Sequence, residues 1–222
     1  MAGCVEECGA DSDVTTMPHP PTPMSNTDGP DVRNTHDPGD DPRVVRSLRA
    51  VGQAIGVVLE GGDFESVTVQ QLLQLAGISR ATFYAHYRNK EDALMGSVER
   101  MFDAFWRGFE GRAAPGGRVA PAAEFISHIA ESPARLAALR AGGRLDEIWR
   151  LLVEDLTARL DARLPEPHAA ARAPMSRRLA ARLLAAALTE LVQWAATHPG
   201  DIQPQVLDAQ FHEMVWRVWG RA

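Results

Sequence analysis

The sequence predicts an all-α protein of about nine helices, a three-helix N-terminal unit followed by a helical bundle. Three observations carry that expectation. From Pro42 onward apolar residues recur three and four apart, the period of one helix face. Helix-capping residues (Asp41, Thr68, Ser79, Asn89) precede those runs, and Gly or Pro follows them. No segment alternates apolar and polar residues as a half-buried strand would, and no internal repeat stands out.

Residues 1 to 41 are of another kind. They hold nine acids against Arg33 alone, with six prolines, for a net charge of −8. The whole chain is −6, so residues 42 to 222 are +2 and the acidic balance belongs to the tail. A segment with so few large apolar residues cannot bury enough surface to offset its ordering entropy, and disorder is expected there. Both cysteines, Cys4 and Cys8, lie in it; without further ligands they read as two thiols of a reducing compartment, not as a metal or redox site. Residues 1 to 30 lack the basic start and apolar run of a signal peptide, and no run of about 18 uninterrupted apolar residues marks a membrane span. A soluble, cytoplasmic protein without membrane contact is expected.

Asp41 before Pro42 is an N-cap with proline at the first helical position, and Val44, Leu48, Val51, Ile55 and Val58 carry the helix to Gly61-Gly62. Arg43, Arg46 and Arg49 crowd its start, where cations oppose the helix dipole. Either an external anion compensates them or they are plain solvated side chains. Thr68 to Gln71 spells a capping box that opens a short helix with Val69, Leu72, Leu73 and Ala76 on one face. Gly77 ends it, free to take a left-handed turn, and Ser79 caps the next helix. Two helices joined by about three residues make a helix-turn-helix. Asn89 then caps a long helix with Leu94, Val98, Met101, Phe105 and Phe109 in register, up to the loop Ala113 to Gly117. One or two short helices between 121 and 141 break at Ser132-Pro133. Ile148, Leu152, Leu156 and Leu160 mark a helix from Leu145 to Leu164; Ser176 to Thr197 is Ala-rich and apolar on more than one side; the last helix starts near Pro204.

On a helix at about 100° per residue, Phe83 and Tyr87 form an aromatic stripe that anchors residues 79 to 87 to their own domain, while Ala81, Thr82 and Ala85 gather opposite. Small methyl-bearing side chains permit close approach to a major groove, where Thr82 can offer a hydrogen bond to a base edge. Tyr84 and His86 flank that surface within reach of phosphates, although either alone would also suit an ordinary amphipathic surface. Lys90, the only lysine of the chain, follows Asn89 in the first helical turn, where its charge opposes the dipole and suits a phosphate.

The stretch TVQQLLQLAGISRATFYAHYRNKEDAL, from Thr68 to Leu94, resembles the helix-turn-helix signature of the TetR family of bacterial transcriptional regulators. Its Ala-Gly, Ser, Phe-Tyr, His-Tyr and Lys-Glu elements stand in the family's order and spacing, and residues 43 to 94 resemble the family's DNA-binding domain. The resemblance implies double-stranded operator DNA as a partner, with Thr68 and Ser79 on phosphates, Arg80, Ala81 and Thr82 opening the recognition helix, Tyr84 and His86 against the backbone, and Lys90 on a phosphate. Phe83 and Tyr87 fall at the family's core positions. Ala81 stands where glycine is frequent, and Tyr87 replaces the usual phenylalanine, so its hydroxyl needs a partner or water.

The same resemblance implies a division into an acidic tail (1–41), a helix-turn-helix domain (42–92) and a ligand-sensing and dimerisation domain (93–222). Useful specificity takes two helix-turn-helix units on a palindromic site, hence a homodimer. Leu184, Leu188, Leu191, Phe211, Val215 and Trp219 on the last two helices are its expected interface, or else plain core. A small-molecule effector, an inducer of unspecified identity, is implied in the bundle; Phe102, Phe105, Trp106, Phe125 and Trp149 are placed to line its cavity or to serve as core. No run of inward charges suggests an ionic ligand, and no cofactor or metal is expected. Scattered histidines (His128, His168, His198, His212) and the lack of a phosphate loop or nucleophile motif speak against an enzyme. A ligand-responsive repressor is the functional expectation. The alternative is a ligand-sensing or scaffolding protein of the same fold without sequence-specific DNA binding.

Overall fold

A computed structural model describes residues 41–62, 64–110, 117–164, 175–198 and 203–219. The acidic segment with Cys4 and Cys8, Ala113 to Gly116, His168 and the Trp219 side chain lie outside the described residues.

The described residues form nine α-helices and no strand: α1 (Pro42–Glu60), α2 (Val69–Ala76), α3 (Arg80–Tyr84), α4 (Lys90–Glu110), α5 (Ala122–Ala130), α6 (Pro133–Ala141), α7 (Leu145–Arg163), α8 (Arg177–Thr197) and α9 (Pro204–Trp219). Most starts have a local cause. The Asp41 carboxylate accepts the Arg43 amide at 2.8 Å, the Asn89 side chain accepts the Asp92 amide at 2.7 Å, and the Ser176 hydroxyl accepts the Leu179 amide at 3.3 Å. Each satisfies a donor that the first helical turn would otherwise leave open. Pro133 opens α6, where its missing N–H is no loss.

Helix α1 packs on α2, α4 and α6, α7 lies along α8, and α5 is covered by α8 and α9. The expected boundary between residues 92 and 93 falls inside α4, which continues from the N-terminal unit into the bundle. Its buried stripe is Leu94, Val98, Phe102, Trp106 and Phe109, while Met101 and Phe105 are only partly buried. Both sets fit a helical period. Contact with α7 selects the first: the Trp106 ring is fully buried and its Nε1–H donates to Asp155 Oδ2 at 3.0 Å.

By length and composition α8 could cross a membrane. Its Ala181, Ala185, Leu188 and Val192 are instead buried in this chain's core, which makes it a core helix. Polar anchors hold α9. Asp208 accepts from Arg118 at 2.7 Å and from the Ala123 amide at 3.1 Å, His212 Nε2 accepts the Ala120 amide at 3.3 Å, and Trp216 Nε1 donates to the Gly117 carbonyl at 2.6 Å.

Candidate nucleic-acid interface and effector cavity

The helix-turn-helix is built by short-range hydrogen bonds. In the capping box the Gln71 amide donates to the Thr68 hydroxyl at 3.3 Å, and the Thr68 amide donates to the Gln71 side chain at 2.9 Å. Gly77 closes α2 at φ 64°, the left-handed conformation glycine adopts without a Cβ penalty. Ser79 Oγ accepts the Thr82 amide at 3.0 Å and lies 2.8 Å from the Thr82 hydroxyl.

Helix α3 has five residues, shorter than the nine-residue helix read from sequence, yet the Tyr87 amide still donates to the Phe83 carbonyl at 2.9 Å. That turn preserves the aromatic register. Phe83 is 1% and Tyr87 6% exposed, with ring centroids 5.4 Å apart. Anchored on that side, α3 leaves Arg80, Ala81, Tyr84, Ala85 and His86 exposed. Arg80 lies over the Tyr84 ring, 6.0 Å from its centroid. Arg43, Arg46, Thr68 and Ser79 are also exposed, and Thr82 is partly buried.

Tyr87 finds room because α4 carries Gly96 opposite it. A Cβ there would stand 3.1 Å from Tyr87 Cε1. The Tyr87 hydroxyl is buried without a hydrogen-bond partner among the described residues. Burial raises its pKa, with the Arg100 guanidinium, 5.5 Å from the ring centroid, opposing that rise.

Lys90 occupies a different position from the one its charge suggested. Its ammonium donates to three main-chain carbonyls, Phe64 at 2.9 Å, Glu65 at 2.6 Å and Val67 at 3.0 Å. An ammonium has three N–H donors, so all of them are engaged. Lys90 clamps the connector between α1 and α2 to the first residue of α4. Arg88, also close to α3, pairs with Asp92 at 2.9 Å, and that hydrogen bond lowers the Asp92 pKa.

A cavity of ≈ 850 Å³ lies between α1, α4, α5, α6 and α7. Of the five aromatic residues placed at such a cavity, Phe102, Phe125 and Trp149 line this one; Phe105 and Trp106 do not. Phe105 packs edge-on against Phe125, its centroid 5.1 Å away, and Trp106 is turned toward Asp155 and Arg159. The space exists partly because α1 presents Gly52 and Gly56, whose missing side chains would meet Ser97 and Arg135 at 3.6 Å. His128 on its wall is held toward the neutral form, first by burial and then by the Arg135 charge. Four arginines from three helices, Arg49, Arg100, Arg107 and Arg135, also line it. This corrects the expectation of no inward charge, which the linear sequence could not reveal because the arginines lie on separate helices. Among the described residues no group of His, Cys, Asp and Glu could hold a metal ion.

The expected dimer residues also need correction. Leu184, Leu188, Phe211 and Val215 are buried in the chain's own core, and Leu191 is partly buried. Helix α8 is apolar on two sides, and its neighbours α5, α7 and α9 take the side bearing Leu184 and Leu188. Among the described residues, the large apolar side chains left exposed on α8 and α9 are Leu179, Leu183, Trp194, Val206 and Met214.

Residues 48–94 match the model of the family described as bacterial regulatory proteins, tetR family. The chain is 39% identical over 61 residues to the uncharacterized HTH-type transcriptional regulator YxbF of Bacillus subtilis (strain 168), a match that covers 27% of this chain and 16% of that protein. Among solved structures, the dihydroxyacetone kinase operon activator DhaS superposes with a TM-score of 0.59 at 14% identity, over 79% of this chain and 97% of its own. The fatty acid degradation regulator FadR from Bacillus halodurans gives 0.52 at 15% identity, over 75% and 96%. At those identities the likeness is one of fold. Over residues 48–94, its helix-turn-helix, the chain is of the type described as bacterial regulatory proteins, tetR family.

Proposed function

We propose that the protein is a ligand-responsive transcriptional repressor, not an enzyme, acting in the cytoplasm and binding a palindromic DNA operator as a homodimer. The observation that carries this reading is α3, pinned inward by Phe83 and Tyr87 while Arg80, Ala81, Tyr84 and His86 stand exposed, inside a segment of the tetR type. Ala81 and Thr82 would meet base edges; Thr68, Ser79, Tyr84, His86, Arg43 and Arg46 would meet phosphates. Lys90 would act by fixing the connector that sets α2 and α3 against α4.

The second copy would pack on the exposed face of α8 and α9 at Leu179, Leu183, Trp194 and Met214. Large apolar residues left exposed on both α8 and α9 favour a four-helix interface. The effector would enter the cavity beside α1 and shift the separation of the two DNA-binding units. DhaS is named an operon activator, so the fold alone does not set the sign of regulation.

Binding of duplexes by fluorescence anisotropy across a salt series tests the assignment. Arg46→Gln should weaken all duplexes alike and reduce the salt slope by about one. Thr82→Ala should change which duplex is preferred. Equal effects of the two variants on every sequence would remove α3 as the reading element.

A further inference from the structure

The charge lining the cavity is of one sign. Its walls are apolar at Val98, Phe102, Phe125, Leu139, Ile148 and Leu152. Among the described residues its only charged lining groups are Arg49, Arg100, Arg107 and Arg135, with no aspartate or glutamate, although acids outnumber bases 29 to 23 in the chain as a whole. Two of these arginines already have partners. Arg135 donates to Glu60 at 2.5 Å, and Arg100 donates to Ser97 at 3.0 Å and leans on Tyr87. Arg135 Nε, however, is buried without a hydrogen-bond partner among the described residues. Arg49 on α1 and Arg107 on α4 are exposed and form no ion pair among the described residues. Guanidinium groups are planar, permanently charged donors matched to carboxylate and phosphate oxygens. A largely apolar lining that also carries unbalanced guanidinium groups is complementary to one ligand class, an apolar body with an anionic head.

We propose that this cavity binds an amphipathic anion, its apolar body against Phe102, Phe125 and Leu152 and its anionic head held by Arg49 and Arg107. Effector binding itself rests on the regulator reading above; the ligand class rests on the cavity. Because Gly52 and Gly56 bring α1 against Ser97 and Arg135, a head group at Arg49 sits on the helix that begins the DNA-binding unit. Ligand and operator would thus act on one element.

Isothermal titration calorimetry on the full chain tests this with two matched probe series: decanoate, decanol and decylamine, then 2-naphthoate, 2-naphthol and 2-naphthylmethylamine. At least one acid should bind at least tenfold tighter than its alcohol and its amine. The Arg49→Gln/Arg107→Gln variant, changed only at exposed positions, should lose that margin and keep the affinity for the alcohol. Leu152→Trp, which fills the interior, should lose binding of every probe; thermal melting of each variant confirms that it folds. Saturable binding by neither acid, an alcohol or amine that binds equally well, or a margin that survives the double arginine variant would overturn the proposal. If an acid binds with the expected margin and operator affinity does not change, the ligand class stands and the effector reading falls.

Discussion

The Lys90 ammonium lies 2.6 Å from the Glu65 carbonyl, and its other two donors meet the carbonyls of Phe64 and Val67. Glu65 is held from the far side as well: its carboxylate accepts from Arg144 at 3.1 Å, at the start of α7. The connector between α1 and α2 is therefore fastened to both α4 and α7. Lys90→Met keeps the aliphatic stem and removes the three donors. It should lower the stability of the fold by about 2 kcal/mol, the scale for losing charge-assisted hydrogen bonds to partly buried acceptors. Chemical denaturation reads this directly. A stability equal to that of the parent, together with a flattened salt dependence of DNA binding, would make Lys90 a phosphate contact instead.

Tyr87 gives a smaller and opposite effect. Its hydroxyl is buried without a hydrogen-bond partner among the described residues, so Tyr87→Phe should leave the ring packing intact and raise stability, by up to about 1 kcal/mol. Gly96→Ala places a methyl 3.1 Å from that ring and should destabilise by about 1 kcal/mol or more. Thermal melting of the two variants separates the hydroxyl from the packing of the ring.

Helix α9 depends on a carboxylate. Burial of Asp208 would raise its pKa, but hydrogen bonds from His212, Arg118 and the Ala123 amide outweigh this and the net shift is downward. A depressed folded pKa contributes stability that is complete above the unfolded value of about 3.9 and disappears as pH falls through the folded value. Urea midpoints at neutral pH should fall for Asp208→Asn by the equivalent of about 2 kcal/mol, because the partly buried Arg118 keeps only Glu124 as an anionic partner and the Ala123 amide loses a carboxylate acceptor. Parent and variant should converge once the pH falls below the folded value of Asp208. A constant difference across that window would place the stabilisation elsewhere.

Two leucines five residues apart on α8 should behave differently. Leu188→Ala, at a fully buried site, should destabilise the fold by about 3 kcal/mol. Leu183→Arg, at a site 51% exposed, should leave the monomer folded and shift sedimentation from dimer to monomer. A dimer that survives Leu183→Arg would move the interface off this face.

Much of this was legible in the sequence where its causes are local. Asp41, Thr68, Ser79 and Asn89 sit within three residues of the amides they cap, so the helix starts follow from the order of residues alone. The Phe83 and Tyr87 stripe is similarly local. The Lys90 contacts were not legible because its partners are backbone carbonyls 23 to 26 residues away, and a carbonyl leaves no mark in a sequence. Leu184 and Leu188 resembled an interface because an apolar stripe does not say which neighbour covers it; α5, α7 and α9 decide that only in the folded chain. The cavity arginines come from α1, α4 and α6, so their convergence is a property of packing.

Selection of bound duplexes from a random pool at low salt, followed by footprinting of the enriched sequence, tests DNA reading by α3 most directly. The expected result is a protected site of two symmetric half-sites about one helical turn apart, lost when Arg80, Tyr84 and His86 are all changed to alanine. Enrichment of no sequence, or a footprint that survives the triple change, would contradict it.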